Sequence, residues 1–234
     1  MRRRTLDITF SIGGVLLAGL LVVLALVMNN RADFSKNYVR DELSAQDIQF
    51  TALDKLDPRE KAFSNANTGC AIANAGKFVT TGRQAECYAN EVIGGHLTWL
   101  ATRLGMTQLA DLDGKSFREL GVEQSNIKAK ITEAETSGDP ALAGLEQRLT
   151  DVGTLRSKVF EGTMLRNALL TSYGFGELGG TADKVATVSW AVAAVLLLLA
   201  LAGFVHALVT PKDKVIVLAD ASNGKAQRKD LTKV

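Results

Sequence analysis

The chain has 234 residues, with 27 Lys and Arg against 25 Asp and Glu, and its formal net charge is +2. This small surplus lies towards the two ends of the chain and argues against a nucleic-acid-binding protein, which usually carries a strongly basic surface. Hydrophobic residues make up 47% of the sequence, which is enough for a core of its own and for membrane segments.

Two apolar segments, residues 8–28 and 185–209, contain no Asp, Glu, Lys or Arg. A helix that crosses the hydrocarbon core of a bilayer needs about 20 apolar residues, and both segments are long enough. We therefore expect a mainly α integral membrane protein. Its two transmembrane helices bracket a mostly helical extracytoplasmic domain that has at most one or two short strands.

Basic residues flank the outer end of each span: three arginines at residues 2–4, then Lys212 and Lys214. Because positive residues mark the cytoplasmic side of a span, both termini are expected in the cytoplasm of a cell-membrane protein. No small-residue cleavage pattern follows the first span, so we expect an uncleaved signal anchor. The remaining regions are a cytoplasmic N-terminus at 1–7, an extracytoplasmic domain at 29–184 and a basic cytoplasmic tail at 210–234.

The first half of the domain contains short predicted elements. Residues 47–51 and 77–81 have the composition of short strands, and Asp57 before a proline indicates either a turn or a helix start. Apolar residues recur at helical spacing over 83–104, where Gly105 is expected to end the helix. Cys70 and Cys87 predict a disulfide bond if the domain is exported, the alternative being two buried thiols.

The second half predicts a helical hairpin at 116–173, with Ser116 as the first cap and a break at 137–140. An apolar stripe over 142–159 could pack within this domain or against another chain, and both alternatives stay open. Residues 164–175 suit either the outer membrane surface or the end of a buried helix. The glycine-rich residues 174–180 indicate a hinge before the second span.

The sequence offers little chemistry. His96 and His206 are the only histidines, and the expected topology places them on opposite sides of the membrane. That arrangement excludes a two-histidine metal site within one chain, including the iron site of oxygenases. No nucleophile elbow or phosphate loop is present. We expect no catalytic residue, metal or cofactor, and we interpret His96 as structural and His206 as a residue of the membrane interface.

Small residues in the spans predict close helix packing. The candidate positions are Gly14, Ala18, Ala194 and Gly203. The two helices could pack on each other or on a helix from another subunit.

Several short segments carry a resemblance to a known family: Asp-Ile-Gln-Phe at 47–50, Glu-Cys-Tyr-Ala at 86–89, Gly-Lys-Ser-Phe-Arg-Glu-Leu at 114–120, Gly-Asp at 138–139 and Met-Leu-Arg-Asn-Ala-Leu-Leu-Thr-Ser at 164–172. In this order they resemble two-span actinobacterial membrane proteins that often carry the name "aromatic ring-opening dioxygenase". The glycine-rich stretch and the charged tail depart from that family. The resemblance implies no catalytic residues, and the number and placement of the histidines argue against the dioxygenase name.

These observations predict a non-enzymatic accessory or assembly subunit of a larger membrane protein complex. Expected partners are the lipid bilayer and other membrane subunits or further copies of the chain. The resemblance implies a respiratory-chain supercomplex as the first candidate. The alternatives are an envelope module that binds a ligand or signals, which predicts a concave apolar pocket, and an enzyme of unknown type.

Overall fold

The computed structural model describes residues 3–211, so Lys212, Lys214 and most of the predicted tail lie outside the described residues. The described chain is mostly helical, as predicted. Its contacts define two units. Of the described residues, the terminal unit comprises 3–30 and 182–211, and the central unit comprises Arg31–Thr181.

Helices account for most of the described chain. In order they are α1 (Arg3–Ala45), α2 (Pro58–Ala66), α3 (Cys70–Ala73), α4 (Gly82–Cys87), a π-helix (Tyr88–Ile93), α5 (Gly94–Thr98), α6 (Leu100–Arg103), a 3₁₀ helix (Thr107–Leu112), α7 (Phe117–Ser137) and α8 (Leu142–Val209). Both α1 and α8 are long and apolar enough to cross a membrane, with a mean hydropathy of 2.7 in their most apolar windows.

In the terminal unit, α1 and α8 pack antiparallel through small residues. The buried positions recur at every seventh residue: Ser11, Ala18 and Ala25 on α1, and Ala186, Ala193, Ala200 and Ala207 on α8. A seven-residue repeat keeps one face of each helix against its partner along the whole contact. Small side chains on that face let the two backbones approach closely.

Both long helices extend further than the sequence suggested. The first span was expected to end at residue 28, but α1 continues to Ala45 because Ala32 and Val39 prolong the same seven-residue repeat. Both residues, and Ser35, are buried within the central unit. The predicted hinge at 174–180 is wrong, since α8 is helical throughout. Gly179 lies where an added Cβ would come within 2.8 Å of Ser35, so this glycine permits close packing.

The two segments expected to form strands meet at a single antiparallel bridge between Gln49 and Phe78. Among residues 3–211 there is no longer ladder. Asp47, two residues after the end of α1, adopts a left-handed φ of 52°, and Gly76, three residues after α3, has a φ of 74°. The extended residues left before the next helix are too few to build a sheet.

The central unit has two apolar clusters. The first surrounds the disulfide and joins Leu43 of α1, Ile93 of the π-helix and Leu169 of α8. The second joins α7 to α8 and contains Leu120, Ile127, Val152, Leu155 and Val159. Helices α7 and α8 therefore pack together as a hairpin, but its second arm continues beyond residue 173. The part of the apolar stripe from Val152 to Val159 packs within the chain. Leu169 also shows that residues 164–175 contribute to the core.

Candidate ligand site beside the disulfide

The predicted disulfide between Cys70 and Cys87 is confirmed, with the two Cα atoms 5.9 Å apart. It ties the first residue of α3 to the last residue of α4. In the chain-entropy model, closing a loop of this length stabilises the fold by about 3 kcal/mol. The bond therefore fixes two short helices that could not hold their positions alone.

Glu91 on the π-helix holds the loop that carries Cys70. Its buried carboxylate accepts hydrogen bonds from the backbone N–H of Thr68 and of Ala71, both at 2.9 Å. The hydroxyls of Thr68 and Ser64 donate to it at 2.5 and 2.6 Å. Burial raises the pKa of Glu91, but these hydrogen bonds outweigh it and hold the pKa below its ordinary value. Glu91 is therefore an ionised anchor.

One carboxylate oxygen of Glu91 and the two disulfide sulfurs lie within 4.8 Å of one another. Thiolate and carboxylate groups at this distance are typical metal ligands. Here the sulfurs are bonded to each other and the carboxylate is already fully hydrogen-bonded. The disulfide form therefore offers a metal ion no thiolate at this point.

A cavity of about 710 Å³ opens beside the disulfide. We call it the polar cavity. Its side chains are mainly amide or charged: Asn67, Asn74, Arg83, Gln84, Glu86, Asn90 and Arg166, together with Thr68, Glu91 and the disulfide. Its volume lies within the range of roughly 300–1,000 Å³ that small-molecule sites occupy. The polar lining differs from the concave apolar pocket expected of a ligand-binding module.

The charges of this cavity are incompletely paired. Arg166 donates from Nη2 to Oδ1 of Asn90 at 2.9 Å, while its Nε is buried without a hydrogen-bond partner. Glu86 is half-buried and makes no hydrogen bond or ion pair with any residue in the described part of the chain. Arg83 reaches Glu177 at 3.3 Å, but most of its side chain is exposed. Buried polar groups are normally satisfied, so Arg166 requires an explanation.

His96 lies outside the polar cavity. Its Nε2 is 2.7 Å from Oε1 of Glu60, which also accepts a hydrogen bond from Arg103 at 3.1 Å. Arg103 and Arg59 stack on the two-ring side chain of Trp99, at 5.1 and 5.2 Å from the ring centroid. Burial raises the pKa of Glu60, but its hydrogen bonds hold the pKa below the ordinary value. This cluster joins α2 to α5 and α6.

A smaller apolar groove of about 310 Å³ lies between the π-helix and α8, with Val92, Leu97 and Leu165 among its lining residues. Its rim carries His96 and the ion pair of Lys158 with Glu161, whose N–O distance is 2.8 Å. The charged groups at this rim are already paired, so the groove offers apolar surface and no unpaired charge.

The terminal unit contains the four residues predicted for helix packing. Ala18 is buried, an added Cβ on Gly14 would lie 3.4 Å from Ala200, and Gly203 lies directly against Ser11. Ala194, however, is exposed. Its neighbour Ala193 occupies the contact, because the seven-residue repeat places 193 and not 194 on the packed face.

His206, which was interpreted as an interface residue, pairs with Asp7 within the same unit. The distance from its Nδ1 to Oδ2 of Asp7 is 2.9 Å. The pair joins the first turns of α1 to the last turn of α8.

The sequence revealed the disulfide but not the polar cavity. Glu91 forms hydrogen bonds with residues 20 to 27 positions earlier in the chain, so no local sequence pattern predicts its role as an anchor. Arg166 and Asn90 are 76 positions apart. The available signal was the number of amide residues around the two cysteines. Comparison with family models, with curated proteins and with solved structures finds no match for this chain.

Proposed function

We propose that this chain is a membrane-anchored, non-enzymatic accessory subunit of a larger membrane protein complex. In this proposal α1 and α8 cross the cell membrane, both termini are cytoplasmic and the central unit is extracytoplasmic. The long apolar helices support the membrane location. The disulfide supports an oxidising compartment for the central unit.

The observation that carries the proposal is an exposed aromatic patch on the central unit, formed by Phe34, Tyr38, Phe175 and Leu178. Phe34 and Tyr38 stack with ring centroids 5.8 Å apart, and Tyr38 meets Phe175 edge-on at 6.3 Å. The exposed fractions of Phe34 and Leu178 are 61% and 67%. Contiguous exposed apolar side chains mark interaction surfaces, and aromatic residues are enriched at the centres of such surfaces.

The ionisable groups of the central unit support a structural role. Glu91 and Glu60 anchor loops and helices, as their hydrogen bonds show. Arg148 of α8 bridges Asp111 and Glu123, with N–O distances of 2.9 and 3.1 Å. A catalytic site requires a reactive group that faces an open space. Each of these groups is instead held by hydrogen bonds or ion pairs to other groups of the protein.

The kind of complex follows from the sequence resemblance, which makes a respiratory-chain supercomplex the first candidate. A membrane subunit of that kind needs surfaces both within and outside the bilayer. Only 17% of the most apolar window of each long helix is buried within the chain, which leaves most of the span surface available to lipid or to other helices.

The test is extraction of the tagged chain in a mild detergent, followed by quantitative mass spectrometry of the co-purifying proteins. The double variant Phe34→Ser with Phe175→Ser removes two aromatic members of the patch. A matched control, Leu53→Ser with Val122→Ser, removes two side chains of similar exposure, 53% and 55%, elsewhere on the central unit.

We expect a fixed set of membrane proteins with the wild type and the control, and at least tenfold less of them with the patch variant. A chain that purifies as a monomer in every case would contradict the subunit proposal. If the patch variant and the control variant recover equal amounts of the partners, the aromatic patch is not the docking surface.

A further inference from the structure

The polar cavity contains two opposite charges that lack counter-ions among the described residues. Glu86 has no partner, and the guanidinium of Arg166 bonds only to the amide of Asn90. Both side chains line the same cavity, yet they do not form an ion pair with each other. A half-buried charge without a counter-ion costs free energy unless water or a ligand solvates it.

The amides of the cavity leave both donors and acceptors free. Asn67 and Asn74 donate their side-chain N–H groups to the carbonyls of Phe63 and Cys70, at 2.7 and 2.9 Å. Their side-chain oxygens therefore remain as acceptors. Asn90 uses its oxygen to accept from Arg166, which leaves its N–H groups as donors. A ligand with a positive and a negative group could therefore donate hydrogen bonds to the free amide oxygens and accept them from the free amide N–H groups.

The cavity wall is held in place before any ligand arrives. The disulfide joins Cys70 and Cys87, and Glu91 pins the loop through Thr68. Asn90 and Glu91 both belong to the π-helix, a rare element that often occurs at functional sites. A pre-organised wall lowers the ordering cost of binding.

We propose that the polar cavity binds a small zwitterion of the amino-acid or dipeptide type, whose carboxylate contacts Arg166 and whose ammonium group contacts Glu86. A guanidinium matches the planar geometry of a carboxylate, and the hydrogen bond from Nη2 to Asn90 orients the side chain of Arg166. We expect the ligand to be neutral overall, because the cavity offers it one unpaired positive charge, on Arg166, and one unpaired negative charge, on Glu86. This inference goes beyond the accessory-subunit function and does not rest on it.

The experiment uses the full-length chain in detergent and titrates it by calorimetry with three related probes. Dialanine carries both charges, N-acetyl-dialanine carries only the carboxylate, and dialanine amide carries only the ammonium group. The common amino acids complete the panel. We expect at least one zwitterion to bind, and each singly blocked form of it to bind at least tenfold more weakly.

Two variants test the proposed contacts of the ligand with Arg166 and Glu86. Arg166→Gln and Glu86→Gln should each lower the affinity for the zwitterion at least tenfold. Arg118→Gln and Glu135→Gln make the same changes in charge at exposed positions outside the cavity and should leave binding unchanged. Thermal unfolding of all four variants checks that the fold is retained.

Two results would overturn the proposal. The first is that no zwitterion in the panel binds. The second is that the carboxylate-only probe binds as tightly as the zwitterion and is insensitive to Glu86→Gln, which would make the cavity a simple anion site. Both readouts use the isolated chain, so they are independent of whether it co-purifies with partners.

Discussion

The carboxylate of Glu91 accepts hydrogen bonds from both the backbone N–H and the hydroxyl of Thr68, at 2.9 and 2.5 Å. Thr68 lies two residues before Cys70, so this contact positions the loop from which the disulfide departs. Loss of any one of these donors would leave the buried carboxylate less well satisfied, which costs free energy.

Replacing Glu91 with glutamine should therefore destabilise the central unit. The side chain keeps its shape, but one oxygen becomes an NH₂ group that faces N–H donors. We expect a loss of about 3 kcal/mol, since a charged acceptor is removed from a buried site. The measurement is thermal unfolding of the purified chain. Glu86→Gln, at a position without a partner, is the matched control and should unfold close to the wild type.

The pH dependence of this stability has a definite sign. The pKa of Glu91 is lower in the folded chain than its ordinary value of 4.5, so the folded state favours the ionised form. The stabilisation is fully present above pH 4.5 and is lost as the pH falls through the lower folded pKa. We expect the difference in Tm between wild type and Glu91→Gln to be constant from pH 7 to 5 and to shrink below pH 4.5. A difference that stays constant down to pH 3 would show that ionisation of Glu91 does not contribute.

The helix ends could be predicted from the sequence because their signals are local. Ser116 caps α7 through a reciprocal pair of hydrogen bonds with Glu119, at 3.3 and 2.8 Å. Asp57 caps α2, and Gly105 adopts the left-handed conformation that follows a helix. Each of these residues needs only its near neighbours in the chain to play its role.

The extents of the long helices could not be predicted in this way. Glycine is a weak helix former, so local propensity placed a break at 174–180. The helix nevertheless continues through these residues, because it packs closely against α1 there: Gly179 faces Ser35 at a point where no larger side chain would fit. The seven-residue recurrence of Ala18, Ala25 and Ala32 is visible in the sequence and would have predicted the continuation of α1. The polar cavity joins residues far apart in the chain, and its composition alone does not assign them to one place.

The same repeat predicts a contrast between two adjacent alanines. Ala193 is 1% exposed at the contact between α1 and α8, whereas Ala194 is exposed. Ala193→Leu should force the helices apart and cost about 1–3 kcal/mol, as overpacking typically does. Ala194→Leu adds the same atoms on the outer face. Thermal unfolding in one detergent compares them, and equal effects of the two leucines would contradict the packing register.

The disulfide allows a direct test of the compartment in which the central unit resides. If this unit is extracytoplasmic, Cys70 and Cys87 are oxidised in living cells, because oxidising compartments maintain such bonds. Cells would be denatured in the presence of excess maleimide, so that the buried Cys87 can also react, and the mass of the tagged chain would be measured. We expect no label on the wild type without a reductant, and two labels after reduction. Cys70→Ser leaves Cys87 without its partner and should take up one label in either case. Labelling of the unreduced wild type would place the domain in a reducing compartment and invert the proposed topology.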